Sequence, residues 1–246
     1  MMKDWYIQWF DTDEYLNVYK HRNETDAECH IRFLLSQIDL PSGASILDMA
    51  CGAGRHSILL SRLGYKVTGV DLSNRLLTEA KLSAERENLK INFIQSDIRE
   101  FNTDKKFDLV LNLFTSFGYF ETDEENFQLF YKAYSLLNSN GYFVFDYFNR
   151  NYLLKNLIPY SSEFDEDYTI IQERKIVDGR VIKKITVNRN GNSKHYYESV
   201  KLYESNLLVT KLKEIGFEIV KLFGDFSGSK FEENSSPRFI AICRKK

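Results

Sequence analysis

Ile46-Leu47-Asp48-Met49-Ala50-Cys51-Gly52-Ala53-Gly54-Arg55-His56 is the stretch on which the fold turns. Ser45 to Met49 is an apolar run of strand length, and it ends in a loop with two glycines one residue apart. From Gly54 to Leu63 the pattern becomes helical, with Ile58, Leu59 and Leu63 on one side and Gly64 as the stop. Glycines let the backbone of such a loop approach a ligand closely. The helix that follows offers free N–H groups, which favour negative charge. Two glycines are a weak signal by themselves, because a strained turn also uses them.

Strand and helix alternate downstream. Lys66 to Val70 reads as the second strand, and Ser73 as the cap of a helix carrying Leu76, Leu77, Ala80 and Ala84. Ile91 to Ile94 and Phe107 to Leu113 read as the third and fourth strands. Thr122 and Glu125 form a capping box. The helix it opens places Phe127, Phe130, Tyr131, Tyr134 and Leu137 at helical spacing, and Asn140-Gly141 stops it before a fifth strand, Tyr142 to Tyr147. This alternation with short connections predicts an α/β fold, a Rossmann-like doubly wound, seven-stranded, mostly parallel sheet. In such a sheet, ligands bind beyond the carboxyl ends of the strands. Asp71 ends the second strand, 17 positions after Gly54, and Asp97 ends the third. An acid at the first place can accept two ribose hydroxyl protons, and an acid or its following backbone at the second can accept from an adenine amino group. Each is also an ordinary loop acid; together with the glycine loop they carry more weight.

The pattern changes on both flanks. Residues 1–40 read as a helical cap segment, with Trp5, Tyr6, Trp9, Phe10, Tyr15 and Tyr19 early and Ala27, Ile31, Leu34 and Ile38 at helical spacing. Within 151–203, Tyr168 to Val177, Arg180 to Arg189 and Lys194 to Tyr203 read as strands, separated by Asp178-Gly179 and Asn190-Gly191. Both dipeptides favour hairpin turns, so this region is expected to be an inserted antiparallel β-meander, a substrate lid. A helix from Ser205 and strands at Phe217 to Phe223 and Arg238 to Arg244 complete the main domain, 41–150 with 204–246.

Composition narrows the function classes. Lysine and arginine number 33 against 35 acids, so no basic excess points to nucleic acid or an anionic membrane. Cys29, Cys51 and Cys243 stand far apart, which fits a reducing cytoplasm rather than a disulfide framework. The four histidines show no metal-ligand spacing, so no metal is expected. The amino terminus lacks the apolar core of a signal peptide, and no stretch reads as a membrane span.

The motifs resemble those of the class I S-adenosylmethionine-dependent methyltransferases, in the broad group of small bacterial enzymes. Leu47 to Gly54 resembles that family's first motif, Gly69-Val70-Asp71-Leu72-Ser73 its acidic second, and Ser96-Asp97-Ile98 its adenine-binding one. Phe107 to Asn112 resembles the fourth-strand motif and Leu136 to Tyr142 the turn into the fifth strand. The match covers roughly 44–147, and Ala50 stands where the family often has its first glycine. The resemblance implies S-adenosylmethionine as cofactor and S-adenosylhomocysteine as product. It implies that Ala50, Gly52 and Gly54 line the methionine part, that Asp71 and Leu72 hold the ribose and the adenine edge, and that Asp97 and Ile98 face the adenine. Asn112 and Leu113 would present polar groups near the cofactor's amino end, and Asp48 would brace the loop.

Methyl transfer is an in-line displacement at a sulfonium methyl, so positioning can supply much of the rate and no triad is required. Phe114, Phe117, Tyr119 and Phe120 follow the fourth strand, where they would stack on substrate, attract the sulfonium or simply pack. Tyr15, Tyr19 and Arg22 would reach the cofactor carboxylate or the substrate, or pack on the surface. His56 reads as a helix residue or a catalytic one. The meander carries eight basic residues and three acids between Tyr168 and Lys201, which suits an acidic substrate or a solvated face. The leading expectation is a methyltransferase acting on an O, N or C nucleophile of a small molecule, as monomer or homodimer. A nucleobase amino-methyltransferase is disfavoured because Asn112-Leu113-Phe114-Thr115 lacks that class's two prolines. The alternatives are a nicotinamide oxidoreductase, whose loop would want glycine at Ser57, and a non-catalytic cofactor sensor.

Overall fold

β1 (Ser45–Met49) sits at the centre of the main sheet because its apolar side chains are covered on both faces: Ile46, Leu47 and Met49 are fully buried. It runs parallel to β2 (Lys66–Asp71) on one side and to β4 (Phe107–Asn112) on the other. The computed structural model describes residues 4–20, 24–165 and 168–246. β3 (Asn92–Gln95), β5 (Leu137–Phe148), β10 (Phe217–Phe223) and β11 (Arg238–Lys245) complete seven strands in the order β10-β11-β5-β4-β1-β2-β3. Only β11 runs against its neighbours. The strand order reverses between β1 and β4, the place where an open sheet forms a crevice.

Helices cover both faces. α3 (Glu24–Ser36) and α4 (Arg55–Arg62) pack Ile31, Leu34, Leu59 and Leu60 onto Ile46, Val67, Leu109 and Leu111, and α5 (Asn74–Arg86) lies beside α4. On the other face, α6 (Asp123–Leu136) and α8 (Ser205–Ile215) bring Phe127, Phe130, Leu208 and Leu212 against Leu47, Val110, Phe143 and Phe145. The capping box of Thr122 and Glu125 forms as the sequence predicts. β5 starts at Leu137 rather than Tyr142. The Asn140-Gly141 turn is absorbed inside the strand, where its ladder with β4 shifts register.

The insertion contains more than its three legible strands. α7 (Arg150–Asn156), capped by Asn149, precedes a four-stranded antiparallel sheet of β6 (Tyr160–Phe164), β7 (Thr169–Val177), β8 (Arg180–Arg189) and β9 (Asn192–Lys201). β6 escaped the reading because it is a short, polar, largely exposed edge strand whose sequence shows no burial pattern. Both expected hairpin turns form, with Asp178-Gly179 and Asn190-Gly191 all at positive φ.

α1 (Trp5–Trp9) and α2 (Asp13–Val18) pack on this second sheet, where Trp5, Trp9 and Val18 meet Ile170, Ile185 and Val187. Ser73 Oγ donates to the Phe10 carbonyl and the Arg75 N–H donates to Asp11, which ties the segment to the start of α5. Among the described residues, no helix is long and apolar enough to cross a membrane.

Candidate active site

The glycine loop turns through left-handed backbone at every second residue: φ is 60° at Ala50, 55° at Gly52 and 79° at Gly54. A side chain in that region costs about 1–2 kcal/mol, which Ala50 bears and the glycines avoid. Gly52 donates its N–H to Asp71 Oδ2 at 2.7 Å, and Ser73 donates to Oδ1 at 2.9 Å. Asp71 therefore locks the loop after β1 to the loop after β2. Each of its oxygens retains a further acceptor direction. Burial pushes its carboxyl up, and the backbone donors oppose this. Ser57 donates to Asp48 Oδ2 at 2.6 Å, bracing β1 against α4, and burial pushes Asp48 up to about 6.

These strand ends open on one cavity of about 570 Å³, within the range of small-molecule sites. Ala50, Gly52, Asp71, Leu72, Asp97, Ile98 and Leu113 all line it, so four successive strand ends converge as the spacing suggests. Gly54 and Asn112 do not. A Cβ on Gly54 would lie 2.8 Å from the Ala80 Cβ, so this glycine lets α4 and α5 approach. Asn112 is buried and donates to the carbonyls of Met49 and Ser116, joining the loops after β1 and β4. Asp97 is held by Arg99 at 2.7 Å; burial pushes its carboxyl up, but the guanidinium outweighs this and holds it below the usual range. Arg22 lies outside the described residues.

Tyr15 and Tyr19 line the cavity with Trp5, Tyr6 and Phe10. Tyr119 completes this aromatic wall, edge-on to Trp5 at 5.2 Å. Phe117 also borders the cavity, but it is only 3% exposed and stacks on Phe130 at 5.1 Å, so most of its ring belongs to the core. Phe114 and Thr115 both hold positive φ. Asp146 secures them by accepting the Phe114 N–H at 2.7 Å, its own carbonyl accepts from Thr115, and Arg238 donates to Asp146 and to Thr115 Oγ1. The Phe114 ring stacks on His56 at 5.2 Å and carries the Arg55 guanidinium at 4.2 Å. His56 is buried in the cavity wall, and its Nε2 has no hydrogen-bond partner among the described residues. Burial holds its ring well below the usual histidine range, hence neutral.

Residues 46–141 match the family model of the methyltransferase domain. A methyltransferase of Geobacillus sp. (strain WCH70) is 27% identical over 86% of this chain and 88% of its own. A glycine/sarcosine N-methyltransferase of Aphanothece halophytica is 26% identical over 95% of this chain and 86% of its own. The chain belongs to the class I S-adenosylmethionine-dependent methyltransferases. The crystal structure of an S-adenosylmethionine-dependent methyltransferase from Clostridium acetobutylicum ATCC 824 shares the fold of this methyltransferase, with a TM-score of 0.82 at 21% identity, covering 95% and 98% of the two chains. Family membership removes the nicotinamide alternative; Ser57 braces Asp48 where a dinucleotide loop would place its third glycine.

The opposite wall of the methyltransferase cavity comes from the meander, through Arg174, Val181, Lys183, Glu198 and Val200. Glu198 accepts from Trp9 Nε1 at 2.8 Å and Tyr19 at 2.5 Å, and pairs with Lys183 at 2.6 Å. Burial pushes its carboxyl up, but Lys183 and these donors together hold it below the usual range. Arg180, 7% exposed, donates to the carbonyls of Gly118, Tyr119, Phe120 and Ser199 and to Ser199 Oγ. It clamps the loop after β4 to the meander. In the sequence, Arg180 and Lys183 belong to a basic run that suits an acidic substrate or a solvated face, and nothing local marks a basic residue in a strand as a buried clamp.

Proposed function

We propose that the methyltransferase transfers the methyl group of S-adenosylmethionine to the nitrogen of a small amine. The observation that carries this reading is the similarity to a glycine/sarcosine N-methyltransferase over 95% of the chain, a span that takes in the meander wall as well as the glycine loop. The cofactor fits the residues present. Ala50 and Gly52 offer loop backbone to its methionine part, Asp71 keeps acceptor directions for the ribose hydroxyls, and Leu72, Asp97 and Ile98 flank the adenine. Gly54 and Asn112 serve by shaping the loops, and Leu113 borders the reacting end. Bound there, S-adenosylmethionine supplies an electrophilic methyl whose leaving group needs no proton.

The protein's own task is then positioning. The aromatic wall of Trp5, Tyr6, Phe10, Tyr15, Tyr19 and Tyr119 excludes water and offers ring faces to a cationic centre. Phe114 presses against the same space from the β4 loop. The amine must be neutral to attack; His56, buried and held neutral beside Phe114, shapes this wall and does not take the proton. Incubation with methyl-labelled S-adenosylmethionine and a panel of small amines, alcohols, phenols and acidic carbon compounds tests the reading. N-methylated product is expected; label found only in O- or C-methylated products would overturn it.

A further inference from the structure

One face of the meander divides into two zones. Ile170 pairs with Val187 across β7 and β8, and Ile185 pairs with Tyr196 across β8 and β9; these carry the amino-terminal helices. Next along the same face, Arg174 stands directly opposite Lys183, and Lys183 directly opposite Glu198. All three line the cavity. The row holds two cations and one carboxylate. Like charges directly opposite each other on a sheet are destabilising. Glu198 neutralises Lys183 at 2.6 Å and is fully engaged by Tyr19 and Trp9 besides.

Arg174 has only neutral acceptors among the described residues. Its guanidinium donates to Gln172 Oε1 at 2.6 Å, Ser161 Oγ at 3.0 Å and the Ile158 carbonyl at 3.4 Å. Gln172 is itself buried, so the fork is held from behind. An arginine fixed by neutral groups and turned to a cavity is preorganised for a planar or tetrahedral oxyanion. Of the other basic side chains of the meander, Lys184 pairs with Glu173, Lys194 with Glu14 and Lys201 with Asp123, Arg180 is the loop clamp, and Lys175 and Arg189 are exposed outside the cavity lining.

We propose that the methyl acceptor carries an anionic group, a carboxylate or a phosphate, beside its nucleophile, and that Arg174 receives it. The anion completes the row, giving two cations and two anions across the sheet. The inference rests on the N-methyl reading only for the nature of the nucleophile. It narrows the acceptor to amines that bear a negative charge, amino acids in the carboxylate case and amino sugar phosphates or nucleotides in the phosphate case.

The test uses the full chain saturated with S-adenosylhomocysteine and titrated calorimetrically with acetate and, separately, inorganic phosphate at constant ionic strength. Saturable binding of at least one is expected, and which one binds identifies the source. Arg174→Gln should weaken it about tenfold or more, and Arg174→Lys should fall between, since it keeps charge and loses the fork. Affinity for S-adenosylhomocysteine should stay within about twofold in both variants, which reports an intact fold. Binding of neither anion by the wild type, or equal anion binding by wild type and Arg174→Gln, would overturn the proposal. So would equal kcat/KM of the two proteins on an anionic acceptor. Arg174-dependent anion binding with product methylated only on oxygen or carbon would sink the amine reading and leave the anion site standing.

Discussion

The two walls of the cavity are built on opposite principles. The glycine-loop wall is local and made mostly of backbone: residues 48–57 turn from β1 into α4, and Asp71, one strand away, holds the turn by accepting two N–H groups. The meander wall is made of side chains from distant parts of the chain. Glu198 reaches Trp9 across 189 positions, and Arg180 reaches Gly118 across 62. A backbone wall tolerates replacement of its side chains and so suits a cofactor shared by a whole family. A side-chain wall can be rewritten residue by residue and suits an acceptor particular to one enzyme.

The sharpest way to break this contrast is Arg180→Ala. It strips four carbonyls of a charged donor in a buried site and should cost about 3 kcal/mol of stability, read by urea unfolding. The surviving folded enzyme should show a raised KM for acceptor, with S-adenosylhomocysteine affinity little changed. Equal losses on both ligands would mean that the walls are not separable.

Asp71→Ala attacks the other wall. It should weaken S-adenosylhomocysteine binding by about 2 kcal/mol in calorimetry, while anion binding at the meander persists. An unaltered cofactor affinity would remove Asp71 from the cofactor wall.

The smallest expected effect concerns His56, which follows the glycine loop at the start of α4 and stacks on Phe114. Its ring is held below the ordinary value of 6.5, so the unfolded chain binds more protons below that pH and stability rises with pH there. Acidifying below about pH 6.5 should therefore cost stability through this residue until its folded pKa is reached. His30 is shifted the same way by burial, so the test is the difference between proteins. Unfolding of wild type and His56→Gln at about pH 6.5 and 5.5 should give the shallower slope for the variant; parallel slopes would place the proton elsewhere.

Legibility followed the same division. The order of strands and helices from Ser45 to Tyr147 was readable, because period, caps and turn dipeptides act over a few residues. The convergence of Ala50, Gly52, Asp71, Leu72, Asp97, Ile98 and Leu113 was readable too, since a parallel sheet brings its carboxyl ends to one edge whatever its side chains. Gly54 looked like part of the ligand wall because its positive φ and its loop position suggest that. Only the 2.8 Å approach to Ala80 reveals its packing role. Asn112 stands at the strand end where the motif puts it, and only the tertiary contacts reveal that its Nδ2 bridges the loops after β1 and β4.

The sequence by itself determined the sheet, the glycine turn and the class of cofactor chemistry, because these depend on short-range backbone preferences and on a topology that follows from them. Tertiary structure alone decided what the basic meander does. Eight positive charges in a run of strands look alike on the page. Which are paired with distant acids, which is buried as a clamp and which faces the cavity depends on neighbours up to 180 positions away, and long-range electrostatic balance has no local signature.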